Sequence, residues 1–423
     1  MVIGIAFNTE VLSDNNKNLI LKAIWENGPI SRADISRLLN ISKPAVSKNV
    51  RELQDAHIIQ EVGRGDNSIG KKSTLLVFNA VKAYVIGVDI GNFKIRVGIA
   101  DLFGNILVIE EENLNSENDG RKILQLIDKT ISFICDKQRV AQERILAICI
   151  GIPGVNDEIS NKNILTPFIK NWENVNIADY FSQRYDSHVI IRNNINIAAL
   201  GEYNARNHEE QKCNSMVYVN FGIGIGAGVI LNGKLYSGMN NAAGEVGFCC
   251  FASPLENSDN TETGCYEQDV SVKFILEKYN NLVPQERQLY LDNNDASILF
   301  NRYDDHEIEA RQVVEELFEN VIKLLISVTA ILNIGIIVIG GGLGQRMKAY
   351  IPVFEQIISK NVPFKPIIRT ANLDVMSGVH GAIGDAISEI LVDYRNLLGP
   401  PFREHDPNRY ANLGQPLAIS AKQ

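Results

Sequence analysis

The chain has no run of apolar residues approaching the ~20 needed to span a bilayer, so no membrane-spanning helix is expected. Its first residues, MVIGIAFNTE, lack the basic segment and small-residue cleavage site of a secretory leader. Cysteine is sparse: Cys135, Cys149, Cys213, Cys249, Cys250 and Cys265 are scattered through 423 residues. Cys135 and Cys149 lie in or beside apolar runs and read as buried thiols. Such spacing gives no disulfide framework and points to a reducing cytoplasm. Positive charge is also short. The net charge of −9 argues against a generic polyanion binder. The deficit is uneven, however. Residues 1–80 hold ten Lys/Arg against eight Asp/Glu, and the remainder holds 31 against 42. A slightly basic head on an acidic body suggests a nucleic-acid-facing module joined to a domain with another task.

Three helical patterns follow one another in the head. Asp14 is placed to cap a helix through LILKAIWENG, stopped by Gly28-Pro29. Ser31 is placed to cap SRADISRLLN, and Ser42 to cap SKPAVSKNVRELQDAHII, with Pro44 in the tolerant first turn. Val46, Val50 and Leu53 recur at helical spacing and should pack inward. The brief Asn40-Ile41 link suits a helix-turn-helix. Two strand patterns, IIQEVGR and STLLVFN, then flank the loop GRGDNSIGKK as a wing. The third helix should expose Ser42, Lys43, Ala45, Ser47, Lys48 and Arg51 to DNA, with Arg64, Lys71 and Lys72 of the wing on phosphate or in the minor groove. Such a head ordinarily acts as a dimer on a two-part site.

The body alternates strands and helices. VIGVDIGNFKIRVGIAD (85–101) and MVYVNFGIGIGAGVILNGKLY (216–236) each read as strand, glycine-bearing turn and strand. IIVIGGGLGQRM (336–347) reads as a strand that opens into a helix. Repetition of the hairpin layout fits two similar lobes with a cleft between them. GIGIGAG (222–228) matches part of a dinucleotide fingerprint, but a second strand follows it where that motif needs a helix, so the reading is rejected.

VDIGNFKIRVGIADLFGNIL, ICIGIPGVN, IRNNINIAALGE, NFGIGIGAGVILNGKLY, AAGEVGF, GCYEQ and IVIGGGLG occur in the order seen in the ROK family, which the chain resembles from about residue 15 to 395. That family groups bacterial sugar kinases with repressors bearing a winged helix-turn-helix. The resemblance implies an α/β chain: a winged head at 1–80, an actin-like, ribonuclease-H-like first lobe at 81–195 completed by 379–398, and a second lobe at 196–378. Residues 399–423 read as a flexible tail.

A kinase of this family needs a phosphate turn of the type Asp-x-Gly-Gly-Thr, whose amides and hydroxyl cradle the phosphoryl group. Here Asp89 and Gly91 remain, but Asn92 and Phe93 follow. A second hairpin hydroxyl is replaced by Ile223, and Asn194 stands where an Asp takes the sugar proton. Loss of a positioned general base alone forfeits roughly 10²–10⁴ in rate. The zinc site of many members is likewise dismantled: Phe248, Ser258 and Asn260 align with three of its ligands, and only Cys265 persists. No catalytic residue, metal or cofactor is therefore expected, and Phe93 is expected to fill the old nucleotide side by packing.

The resemblance implies sugar contacts retained at Asn193, Glu245 and Glu267, and Asn194, though it replaces the Asp, can still donate to and accept from a hydroxyl. Helix capping is the alternative for the two Asn, and a solvated loop or helix-start acid for the two Glu. Phe168 and Phe248 replace family contacts and make the pocket drier, which favours a smaller or altered sugar. The leading reading is a cytoplasmic repressor of sugar-uptake or catabolic genes. It binds operator DNA as a homodimer or homotetramer and answers to a monosaccharide or related effector in the interlobe cleft. The alternatives are an ATP-dependent sugar kinase with a DNA-binding head and a repressor that answers to no ligand.

Overall fold

The structure, a computed structural model, describes residues 9–64, 73–114, 119–157, 162–164, 169–172, 175–251, 264–291 and 295–398. The wing loop with Lys71 and Lys72, Phe168, Ser258, Asn260 and the tail lie outside the described residues.

The head is built from α1 (Thr9–Asn27), β1 (Ile30–Ser31), α2 (Arg32–Leu39), α3 (Lys43–Asp55), β2 (Ile59–Arg64) and β3 (Thr74–Phe78). Ser31 and Ser42 cap α2 and α3, each accepting from the amide three residues on. Asn40 ends α2 in the left-handed conformation and turns the chain into α3. Val46, Val50 and Leu53 of α3 pack against Ile20 and Ile24 of α1 and Ile35 of α2. Asp14 is not a cap. α1 begins at Thr9, and the Asp14 carboxylate instead accepts a hydrogen bond from the distant Tyr394 hydroxyl at 2.7 Å. β1 adds a third strand to the wing sheet, in the order β1-β3-β2, which two residues could not announce in the sequence.

Two five-stranded sheets form the body. The first lobe contributes β4 (Tyr84–Ile90), β5 (Lys94–Asp101), β6 (Ile106–Asn113), α4 (Gly120–Gln138), β7 (Ile145–Ile152), the small hairpin β8 (Val155–Asp157) and β9 (Lys162–Ile164), α5 (Ile177–Tyr185) and β10 (His188–Asn193). Then α6 (Asn194–Asn204) leads into β11 (Met216–Phe221), β12 (Ile225–Leu231), β13 (Lys234–Leu235), α7 (Glu267–Val270), α8 (Val272–Asn280), α9 (Asp295–Asp304) and α10 (Ile308–Leu332). β14 (Ile336–Gly340), α11 (Gly341–Arg346), α12 (Ile351–Asn361), β15 (Ile367–Thr370) and α13 (Ser377–Leu391) complete the chain. The sheet orders are β10-β7-β4-β5-β6 and β15-β14-β11-β12-β13. In both, an antiparallel hairpin supplies the centre and two parallel strands extend it.

The apolar runs of β4 and β7 follow from burial on both faces. Ile86, Val88 and Ile90 point at α4 and α5, whereas Val85, Gly87 and Asp89 point at α13. In the second lobe, Val217, Val219 and Phe221 of β11 face the core under α8–α12, and Met216 and Tyr218 face α6. α6 therefore bridges the lobes, giving Ile197 to one core and Ala198 and Ala199 to another. It crosses α13 backbone to backbone at Gly201 and Gly381. A Cβ on Gly381 would fall 1.7 Å from Ile197 O, and one on Gly201 2.1 Å from Ser377 O. The same helix explains the glycine run in β12. A Cβ on Gly226 or Gly228 would fall 2.5 Å from Ile195 Cδ1 or 2.4 Å from Ala199 Cβ.

Candidate functional site: the winged head and the interlobe cleft

Helix α3 buries Val46, Asn49, Val50 and Leu53 and exposes the opposite face. Ser42, Lys43, Ser47, Lys48 and Arg51 lie on that exposed face, and Ala45 is half-buried beside the cap. Ser42 also serves as the cap, through Ala45 N at 3.4 Å. Asn49 is pinned inward by Ala45 O at 2.9 Å and Ser13 Oγ at 3.1 Å. Arg64 ends β2, and Arg32 ties Gln54 of α3 to Glu61 of β2, at 2.8 and 2.9 Å. The result is a helix held on three sides, with its cationic N-terminal half turned outward. That is the geometry with which a recognition helix enters a major groove.

In the cleft, Asn193 caps α6. Its Oδ1 accepts from Ile195 N and Asn196 N at 2.8 and 3.1 Å, and its Nδ2 donates to Gly154 O at 2.7 Å. Capping thus occupies Asn193, as its alternative reading had it. Asn194 donates through Nδ2 to Ile90 O, 3.1 Å away at the end of β4. A carboxylate would oppose that carbonyl oxygen, so the amide is a strut between α6 and the end of β4. Its oxygen keeps acceptor capacity.

The two acids come from the second lobe. Glu245 follows Gly244, whose carbonyl accepts from Ala227 N at 2.7 Å and whose φ of +94° demands glycine. Gly226 lies between Ile195 and Gly244 O, so the start of α6 and the Glu245 loop meet at one residue. Glu267 opens α7, with its Oε1 3.4 Å from where a Cβ on Gly224 would stand. Both are half-buried. Burial raises the pKa of Glu245. Burial, and then the negative charge of Glu245, raises that of Glu267, which Lys273 only partly opposes. Glu245 thus lies near enough to act on Glu267, and two half-buried carboxylates in one region can accept hydrogen bonds from hydroxyl donors.

The β4–β5 turn is closed by Gly91 N on Lys94 O at 2.9 Å. Phe93 is not packed away as expected: its ring is 41% exposed at the turn, while its carbonyl accepts from Leu114 N at 2.7 Å. What changes the site is Arg96, which the sequence reading missed. It stands opposite Asp89 in the β4–β5 register, 3.9 Å from the carboxylate, and also pairs with Glu111 at 3.1 Å. Counting back across the turn from Gly91 and Lys94 would have found it. Asp89 is largely buried against Gly378, and burial lifts its pKa to about 6 despite Arg96. Ile223 sits half-buried in the second hairpin. At the aligned zinc position, Phe248 is 44% exposed, and Tyr266 N bonds both Gly247 O and Cys249 O. Among the described residues, no three His, Cys, Asp or Glu side chains gather in a way that could hold a metal ion. No helix among them is long and apolar enough to cross a membrane.

A winged helix-turn-helix DNA-binding profile matches residues 13–60, and the ROK family profile matches residues 85–387. The xylose repressor of Caldicellulosiruptor bescii is 28% identical over 394 residues, 91% of this chain and 98% of its own. That of Bacillus subtilis is 32% identical over 279 residues, covering 65% and 69%. The DNA-binding transcriptional dual regulator NagC of Escherichia coli is 25% identical over 354 residues, covering 83% and 86%. A solved ROK family transcriptional regulator, a homologue of the E. coli MLC protein, shares the fold with a TM-score of 0.73 over 92% of this chain and 99% of its own, at 20% identity. A ROK hexokinase from Thermus thermophilus shares the body fold at 0.61 over 73% and 99%, at 23% identity. The chain belongs to the ROK family, as a member that carries a winged helix-turn-helix head.

Proposed function

We propose that the chain is a sugar-responsive transcriptional repressor of the cytoplasm. The head binds operator DNA as part of a homodimer or homotetramer, and a monosaccharide between the lobes releases it. One observation carries the reading. A recognition helix with its cationic face exposed is joined to a body whose two hairpin turns carry no hydroxyl and in which Arg96 faces Asp89; the family resemblance puts Phe93, Ile223 and Asn194 at the phosphoryl-transfer positions. Catalysis is not its role: neither hairpin offers a hydroxyl to phosphate, and the amide of Asn194 cannot take a sugar proton. Glu245 and Glu267 accept from the sugar hydroxyls, with Asn194 facing them from the first lobe.

An aldopentose such as xylose fits this site better than a hexose. Phe248 offers an apolar ring where the family's imidazole bonds a hydroxyl, and a pentopyranose has one exocyclic hydroxymethyl fewer to satisfy. Several relatives are named for xylose. For release, the sugar must bind the DNA-incompetent arrangement more tightly than the competent one, since equal affinity shifts nothing.

The test is an electrophoretic shift on DNA upstream of the protein's own gene, with xylose, glucose and N-acetylglucosamine added in turn. Calorimetry with ATP runs in parallel. Specific binding relieved by xylose, with no heat from ATP, is expected. ATP binding with ADP release on any of the sugars overturns the reading in favour of a kinase.

A further inference from the structure

The segment after α13 reaches back to the head. Tyr394 opens a single 3-10 turn, Tyr394–Leu397, that lies on α1. Its amide donates to Asn18 Oδ1 at 2.8 Å and its hydroxyl to Asp14 Oδ1 at 2.7 Å. The same hydroxyl accepts from Lys17 Nζ at 3.1 Å, and the ammonium lies 4.8 Å from the ring centroid. Lys17 also reaches Glu52 Oε2 on the recognition helix at 2.7 Å and Asp14 at 3.3 Å. Lys17 is nearly buried, so these partners are not exchanged for water at little cost. The other oxygen of Glu52 lies 4.0 Å from Lys48 Nζ, one turn earlier on the exposed face of α3.

We propose that Tyr394 and Lys17 are positioning residues for DNA binding: they hold the Glu52 carboxylate toward α1 and so leave Lys48 available to a phosphate. Glu52 has two possible cations on opposite sides. While Tyr394 fixes Lys17 against it, the inward pair at 2.7 Å is far shorter than the outward one at 4.0 Å. Without the hydroxyl, Lys17 loses one of its three oxygen partners and the contact that ties it to the turn after α13 through oxygen. Glu52 then swings to Lys48, an i,i+4 neighbour, and masks a phosphate-facing charge. Because the turn directly continues α13, whose other end meets Asp89 at Gly378, the affinity of the head becomes linked to the position of that helix.

The test uses the full chain and a duplex selected from a random pool by the wild-type protein. Tyr394→Phe removes one oxygen and keeps the ring. Its affinity should fall severalfold, and the slope of log K against log salt should flatten by about one, the signature of one lost phosphate contact. Adding Glu52→Gln to that variant removes the competing carboxylate and should restore the slope and most of the affinity. Merely loosened packing would not be rescued in this way. A wild-type slope in Tyr394→Phe, or a loss that Glu52→Gln leaves unrepaired, overturns the proposal.

Discussion

Asp89 shows how a retained family residue changes meaning. Its pKa is raised by burial to about 6 from 3.8, so the folded state holds the proton more tightly than the unfolded chain. The sign follows: stability is fully present at low pH and is lost as pH rises from about 4 through about 6. Asp89→Asn should therefore leave stability unchanged near pH 4 and raise it at pH 7.5, by at most about 3 kcal/mol. Arg96 keeps Glu111 as a partner, so the variant strands no cation. Equal melting temperatures for the two proteins at pH 7.5 would refute this. Asn194 makes the opposite case. Asn194→Asp puts a carboxylate against Ile90 O, now 3.1 Å from the amide nitrogen, and should cost about 1–3 kcal/mol in denaturant unfolding. It should not produce ADP from ATP and sugar above background, because Phe93 and Ile223 still offer no hydroxyl. Phe93 was legible as a departure from the family turn but not as an exposed ring. The turn that carries it is tied through its carbonyl to Leu114, twenty-one residues downstream, a contact no local pattern shows.

At the scale of elements, the close crossing of α6 and α13 is the joint between the lobes. Two glycines let the helices touch through their backbones. Gly381→Ala or Gly201→Ala meets a carbonyl oxygen about 2 Å away, which cannot rotate aside as a side-chain end can. Overpacking of this kind costs about 1–3 kcal/mol or more, visible as a lowered melting temperature. Gly342→Ala in α11 is the control: a Cβ there meets nothing within 4 Å, and stability should change by no more than about 0.5 kcal/mol. If all three variants melt alike, the crossing is not a constraint. The elements themselves were largely readable. Helical periodicity marked α3, and glycine turns marked both hairpins, because these segments bury one face over many residues. β1 and the acceptance of Tyr394 by Asp14 were not readable. A two-residue strand has no period, and a bond across 380 positions leaves no local trace. The cap expected at Asp14 failed because α1 starts at Thr9, which places Asp14 inside the helix rather than ahead of it. In the cleft, residue types pointed to Asn193 for a sugar, whereas the geometry spends it on α6 and Gly154.

Across the whole molecule, the head is not a tethered appendage. Ile20, Ile24, Leu53 and Phe78 of the head share one continuous apolar cluster with Leu102 of the β5–β6 turn and with Ile383, Ile387 and Leu397. Trp25 Nε1 donates to Leu102 O at 3.3 Å, Phe103 packs edge-on to Phe78 at 5.5 Å, and Lys82 Nζ reaches Ala56 O at 2.8 Å. The core of the second lobe, under α8, α10 and α12, is a separate cluster. Movement between the lobes therefore carries the head with the first lobe, and the proposed sugar at Glu245 and Glu267 would act by shifting the second lobe relative to that unit. Native-state hydrogen exchange separates this arrangement from a loosely hung head. Shared burial makes α1, α3, β7 and α13 one cooperative unit, so their slowest amides should report a common opening free energy, and the amides of α10 a different one. Tryptophan 25 gives the matching perturbation. Trp25→Ala removes a ring that meets Phe103 at 6.3 Å, together with a bond to the first lobe. It should lower the opening free energy of α1 and of β7 together and leave that of α10 in place. A drop confined to α1 would mean that the head opens by itself, and closure of the lobes would then have no rigid path to the recognition helix.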